Sequence, residues 1–239
     1  MNPSTNLNKN KEHISDMFND IAPSYDRLNH LLSFHIDKSW RKKLVASVKQ
    51  CNPTRVLDVA TGTGDVAFKI LQQHKCSISA IDISAKMLEV AKRKATEADV
   101  NESIEFIEAE AAQLPFADES FDCITVAFGV RNFEDLEKGL TEMKRVLKPG
   151  GKLLILEFSK PKPPFSYLYA LYSYTILPLA GLMFAKNAKA YVYLQRSAAI
   201  FPNREAMLDI LSKCDYKKAK YTSLTFGMVC LYESFKEKP

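Results

Sequence analysis

Several patterns that announce a function are missing from this chain of 239 residues. Its five cysteines (Cys51, Cys76, Cys123, Cys214 and Cys230) form no CxxC pair and have no accompanying histidine spacing, so neither a metal site nor a disulfide framework is expected. They read as reduced thiols of a cytoplasmic protein. No Gly/Ser or Gln/Asn tract and no internal repeat divides the chain. The first twenty residues include Lys9, Lys11, Glu12, Asp16 and Asp20 and no apolar stretch of signal-peptide length, so export is not expected. A strong charge bias is absent too: 33 basic against 28 acidic residues leave +5, a modest excess that favours an anionic cofactor, an acidic lipid surface or RNA without choosing among them. The basic groups at Arg41 to Lys43 and Lys217 to Lys220 are short and lack interleaved aromatics, which argues against a nucleic-acid partner.

What is present is an alternation. Apolar, β-branched runs at Thr54 to Ala60, Ser77 to Asp82, Ile104 to Glu108, Cys123 to Phe128 and Lys152 to Phe158 are interleaved with helical patterns at Gly64 to His74, Ala85 to Ala98, Phe133 to Val146 and Arg204 to Cys214. Alternating strand and helix predicts an α/β fold around a mostly parallel sheet. The last two runs, Tyr216 to Leu224 and Phe226 to Phe235, nearly touch. A parallel return needs a crossover of about a dozen residues or more, so this pair is predicted antiparallel. One domain over residues 1–239 accommodates the pattern, with a helical arm at 1–50 and a lid or substrate insertion at 161–202, both placed to cover an active site.

Within the insertion, Phe165 to Ala185 carries no charge and is long enough to span a bilayer. A crossing there would put strands of one sheet on opposite sides of the membrane. Tyr167, Tyr169, Tyr172 and Tyr174, with Pro178 and Gly181, fit a pocket wall or an amphipathic surface with wet edges. A buried lid helix and a peripheral membrane contact through 161–190 use the same residue types, and both readings stand.

The strongest local signal is VLDVATGTGD, Val56 to Asp65: a strand, a glycine-containing turn and the start of a helix. Gly62 and Gly64 remove the Cβ atoms that would keep a ligand from the turn's backbone amides. Asp82 ends the next strand, where a carboxylate accepts from both ribose hydroxyls of an adenosine. Gly62, Gly64 and Ala67 also satisfy GxGxxA, so a dinucleotide site competes at this point.

Longer stretches carry a family resemblance. YDRLNHLLSFHIDKSW (Tyr25 to Trp40), AFGVRN (Ala127 to Asn132), RVLKPGGKLLILEFSKP (Arg145 to Pro161) and YVYLQRS (Tyr191 to Ser197) resemble the ubiquinone and menaquinone biosynthesis C-methyltransferases over nearly the whole chain. LKPGG is shared by many class I methyltransferases. Tyr25 to Trp40, and FGVRN followed by EFSKP, are what point to quinone substrates. Two positions depart from the family pattern: Leu28 stands in place of Met, and Asp37 in place of His, which removes a potential imidazole base.

The resemblance implies a class I S-adenosylmethionine-dependent methyltransferase with a seven-stranded, mostly parallel Rossmann-like sheet ending in an antiparallel hairpin. It implies S-adenosylmethionine as cofactor, held by Asp58, Gly62, Thr63, Gly64 and Asp82, with Glu110 and Ala111 at the adenine. The implied substrate is an isoprenoid quinol, most closely demethylmenaquinol, and the alternative is another small molecule or RNA. A homodimer, and attachment to the inner face of the cytoplasmic membrane, are compatible with it. Ring C-methylation needs a partner for the quinol oxygen, whose charge is pushed onto the neighbouring carbon. Arg131 is expected to stabilise a developing quinolate, Asn132 to hold a water that takes the proton, and Tyr25 to close over the cofactor, with Asp26 as a lid contact. His30, His35 and Asp37 are expected at the surface.

Overall fold

The computed structural model describes residues 7–161, 163–167 and 188–238. Most of the uncharged stretch, with Tyr169, Tyr172, Tyr174, Pro178 and Gly181, lies outside the described residues, as does half of the lid expected at 161–202. Among the described residues, no helix is long and apolar enough to cross a membrane.

Strands β1 (Arg55–Val59), β2 (Ser77–Asp82), β3 (Ile104–Glu108), β4 (Phe121–Ala127), β5 (Leu147–Phe158), β6 (Lys217–Leu224) and β7 (Val229–Phe235) form a seven-stranded sheet in the order β3-β2-β1-β4-β5-β7-β6. Pairings from β3 to β5 are parallel, while β7 runs antiparallel to β5 and β6. The turn Thr225–Gly227 is too short for a crossover, so β7 must fold back on β6. Strand order reverses between β1 and β4, and ligands of open α/β sheets bind at such a switch point, beyond the strands' carboxyl ends.

Successive strand residues serve opposite faces. Val56, Ile78, Cys123 and Leu154 pack with Trp40, Leu44 and Val48 of α3 (Asp37–Cys51) and Val66 and Ile70 of α4 (Asp65–Leu71). Leu57, Ile124, Leu153 and Ile155 pack with Leu140 and Met143 of α6 (Leu136–Val146) and with Met207 and Leu211 of the helix Glu205–Lys213, here α8. Both faces are covered, so the central strands are apolar on both sides. Truncating Leu154, which has no exposed surface, to Ala would cost roughly 2–5 kcal/mol.

Two helices are shorter than their patterns predict. Asp135 adopts an extended conformation and accepts from Lys138 N–H at 2.9 Å, so α6 starts after it and not at Phe133. Helix α4 closes at Leu71, and Gln73 N–H already turns back to Ile70 O at 2.9 Å.

Only part of the predicted arm behaves as one. Helix α3 belongs to the sheet's cover, whereas α1 (Lys11–Ile21) and α2 (Tyr25–Leu32) lie over the strand ends. Asn10 caps α1 by accepting from Glu12 N–H. Ile14, Met17 and Ile21 then face one way and pack with Met87 of α5 (Ala85–Glu97) and Tyr193 of α7 (Ala188–Ile200).

Candidate active site

Leaving β1, the chain turns sharply into α4. Ala60, Gly62 and Gly64 have φ of 53°, 57° and 86°, left-handed backbone that costs a residue with a Cβ roughly 1–2 kcal/mol. A Cβ at Gly64 would also meet the Phe68 ring at 2.6 Å. Two buried carboxylates fix the turn. Asp58 accepts from the Thr61 and Thr125 hydroxyls, each at 2.6 Å, and Asp82 from the amides of Gly62 at 2.8 Å and Ser84 at 2.9 Å. Burial pushes both carboxyls up to about 6, against these hydrogen bonds.

Beyond the ends of β1, β2 and β4 lies a cavity of about 800 Å³, the open space at its mouth included. Its walls are mostly apolar, with Ile14 and Phe18 of α1, Met87 of α5, and Phe128 and Phe133 after β4; Gly62, Asp82, Glu110, Ala111 and Asn132 add polar groups and backbone. Asn132 Oδ1 is buried without a hydrogen-bond partner. Glu110 sits beside Lys11 Nζ at 3.3 Å.

A second chamber, about 360 Å³, shares Tyr25, Ala60, Gly62 and Ala127 with the first and is lined by Arg41, Asp58, Thr63 and Asp65. Tyr25 thus stands between an apolar chamber and a charged one. Burial holds its phenol above the ordinary value. Arg41 Nε is buried there without a partner.

The arm is tied to the turn by side chains. Thr63 donates to Asp26 Oδ1 at 2.5 Å, and Lys94 Nζ reaches Asp26 at 3.1 Å and Asp65 at 2.8 Å. Asp37, expected at the surface, is buried: it pairs with Arg41, accepts from Ser33 at 2.6 Å and faces His30 Nδ1 at 2.7 Å. Burial alone would raise its pKa, but the Ser33 hydroxyl and the Arg41 guanidinium outweigh it and hold the carboxyl below its usual range. Here the residue that departs from the family pattern anchors α2 to α3.

Arg131 is not on the wall of the larger cavity. It is buried, with Nη1 donating to Phe128 O at 2.5 Å and to Glu157 at 2.7 Å, and its guanidinium lies over the Phe158 ring. Glu157 has no exposed surface and also accepts from Phe158 N–H at 2.8 Å. Sequence reasoning missed Glu157; the available signal was one carboxylate inside the apolar run LLILEF. It also missed Lys9, on the cavity wall, and Tyr193, buried with an unpartnered hydroxyl. Burial lowers the Lys9 pKa and raises that of Tyr193 to about 12. Lys9 has no local motif, and YVYLQRS contains Tyr193 without marking its place; fold contacts bring both in.

The fold, the turn and the carboxylate ending β2 are shared by many cofactor-binding proteins, so the comparison with known sequences decides the family. The sequence pattern of the ubiE/COQ5 methyltransferase family matches residues 5–236. The chain belongs to this family. A protein of Bacteroides fragilis named demethylmenaquinone methyltransferase is 42% identical over 98% of the chain and 96% of its own length. One of Geotalea daltonii, named ubiquinone/menaquinone biosynthesis C-methyltransferase UbiE, is 43% identical over 95% of the chain and 97% of its own length. Among solved structures, a methyltransferase of Thermotoga maritima described as S-adenosylmethionine-dependent and possibly acting on histamine has a TM-score of 0.67 at 18% identity, over 94% of this chain and all of its own, which is likeness of fold. As a ubiE/COQ5 member the chain is an S-adenosylmethionine-dependent methyltransferase. The glycine turn, the Asp82 carboxylate at the cavity and the unpartnered Arg41 Nε fit that cofactor, whose adenosine and amino-acid ends need such groups.

Proposed function

We propose that this enzyme methylates a ring carbon of an isoprenoid quinol, converting demethylmenaquinol to menaquinol. The near-full-length relation to proteins named for that reaction carries the reading, and an apolar cavity with few polar groups suits a quinol ring. When bound, S-adenosylmethionine supplies an already activated methyl group.

The chain's own residues bind and orient. Asp82 would accept from the ribose hydroxyls, and Glu110 and Ala111 would hold the adenine. Gly62 lets the backbone approach and Gly64 gives the turn its left-handed step beside Phe68, while Asp58 and Thr63 hold that backbone in place through their own hydrogen bonds. Arg41, in the charged chamber, would hold the cofactor's carboxylate, and Asp58 and Asp65 on the same wall would favour its ammonium. Tyr25 separates this end from the acceptor. The Asn132 side-chain oxygen takes a hydrogen bond from the acceptor hydroxyl or from the water that removes its proton. Arg131 acts from behind the wall, its charge favouring the developing quinolate while Glu157 fixes its position.

The test is transfer of labelled methyl from S-adenosylmethionine to demethylmenaquinol in detergent, with Asp82→Ala and Asn132→Ala alongside. Labelled menaquinol that drops with both variants is expected. Intact cofactor binding with no label in any quinol would sink the quinol reading.

A further inference from the structure

The strand ends that carry the cavity also carry an exposed apolar face. Phe34 is 68% exposed in the turn between α2 and α3, flanked by exposed Leu31 and Ile36. Ile36 caps the start of α3, its carbonyl accepting from Trp40 N–H at 3.3 Å. Trp40 Nε1 donates to Thr225 Oγ1 at 2.7 Å, which sets this turn beside the β6–β7 turn, where Phe226 is 63% exposed. The Phe226 ring stacks on Phe165 at 3.7 Å, two residues before exposed Tyr167. One layer inward, Trp40 packs at 6.0 Å on Phe128, part of the cavity wall.

Two observations indicate what meets this face. Phe34 and Phe226 both have left-handed backbone, with φ of 50° and 56°. Large aromatic residues rarely accept that conformation, and strain of this kind collects where structure serves an interaction. The surrounding charge is of one sign. From Arg27 to Lys43, along α2, the turn and the start of α3, the exposed charged residues are Arg27, Lys38, Lys42 and Lys43, while the one acidic residue, Asp37, is buried. Lys38 and Lys42 are exposed one turn apart on α3, and Lys160 is exposed near the β6–β7 turn, its carbonyl accepting from Arg204, which also reaches Gly227 O. Projecting apolar rings within a basic rim match a bilayer interface bearing anionic headgroups.

We propose that the turn holding Leu31, Phe34 and Ile36, together with Phe226 and Tyr167, docks the enzyme on an anionic lipid bilayer. The aromatic rings enter the interface and Lys38 and Lys42 face the headgroups. The inference rests on the quinol reading, which puts the acceptor in a bilayer, and it places the cavity wall one aromatic layer from that surface.

Flotation of the full chain with phosphatidylcholine vesicles, with and without phosphatidylglycerol, tests it, alongside methylation of a short-chain, water-soluble demethylmenaquinol. Phe34→Asn and Phe226→Asn remove the rings, and Asn tolerates left-handed backbone, so neither adds strain. Each is expected to weaken partitioning by about tenfold. Lys38→Glu with Lys42→Glu is expected to weaken binding to the anionic vesicles by about tenfold or more and to leave neutral vesicles unaffected. Turnover of the short-chain acceptor should not change in any of these variants. Vesicle binding equal to wild type in all of them overturns the docking surface. So does a dimer that the same substitutions dissociate, since the face then joins two copies of the chain. Intact, substitution-sensitive vesicle binding without methylation of the short-chain quinol would instead discard the acceptor and keep the surface.

Discussion

The turn from Asp58 to Gly64 is held from within: buried carboxylates accept from hydroxyls and backbone amides a few residues or one strand away. Helix α1, which covers it, is held from outside by an apolar stripe on α5 and α7, and the start of α2 by Lys94 with Asp26 and Asp65, whose side chains are about a quarter exposed; buried Asp37 fixes only the far end of α2. Desolvated, hydrogen-bonded groups give the first region a single geometry. Ion pairs open to water give the second modest, salt-sensitive attachment, which suits a cover that must admit cofactor and acceptor.

The contrast is sharpest at the buried pair of Arg131 and Glu157. Glu157→Ala leaves a guanidinium buried without its counter-ion, which costs roughly 3–5 kcal/mol. Chemical denaturation should show that loss, with cofactor affinity changed far less in the molecules that remain folded. A stability close to wild type would mean that the guanidinium finds water when its partner goes, and that this wall is as loose as the arm.

Asp58 tests the inner region through pH. Its folded carboxyl titrates near 6 against an ordinary value of 3.8, so the folded chain binds this proton more tightly than the unfolded one. Stability from this group is therefore highest below about pH 4, falls as pH rises toward 6, and stays low above. Asp58→Asn lacks the dependence. The stability difference between wild type and variant should shift by up to roughly 3 kcal/mol between about pH 4 and pH 7, against the wild type. A difference that is flat with pH would remove the account of Asp58 as a carboxylate held against its desolvation.

How much of this was legible beforehand follows the same division. The turn is local: Asp58, Gly62, Gly64 and the start of α4 lie within a few residues, and Asp82 ends a readable strand, so their places came directly from the pattern of strand and glycine. The antiparallel end of the sheet was readable because the chain between β6 and β7 is too short for anything else. Lys94, Glu157 and Tyr193 enter the site region through tertiary contacts, Lys94 and Glu157 across 68 and 26 positions and Tyr193 across 180 to His13, and no spacing rule reaches that far. Asp37 shows the limit at one position: its charge reads as surface, and only Arg41, four residues on, together with Ser33 and His30 makes burial affordable.

Asp82 lies at the border of the two regions, since it fixes the turn and faces the cavity. Its carboxyl also titrates near 6 because of burial, with the Ser84 and Gly62 amides opposing, and ribose hydroxyls donate best to the ionised form. Cofactor affinity should fall by about tenfold per unit below pH 6. In Asp82→Asn it should be about 10- to 100-fold weaker at neutral pH and lose that slope. Titration calorimetry across the range measures both. The same slope in the variant would assign the titration elsewhere, with Asp58 next in line.

The smallest effect belongs to the arm. Lys94→Ala removes contacts to Asp26 and Asp65 and leaves Thr63 as the remaining polar tie between Asp26 and the turn. Pairs this exposed contribute about 1 kcal/mol or less, so global stability should barely change. Opening of the arm should change more, because its own free energy is a small part of the whole. Amide exchange in Tyr25–Leu32 should speed up several-fold while β1 and β4 exchange as before, and added salt should bring the wild type toward the variant. Exchange that accelerates equally in β1 would show that Lys94 supports the core as well, and the division between a fixed turn and a releasable cover would fail at that residue.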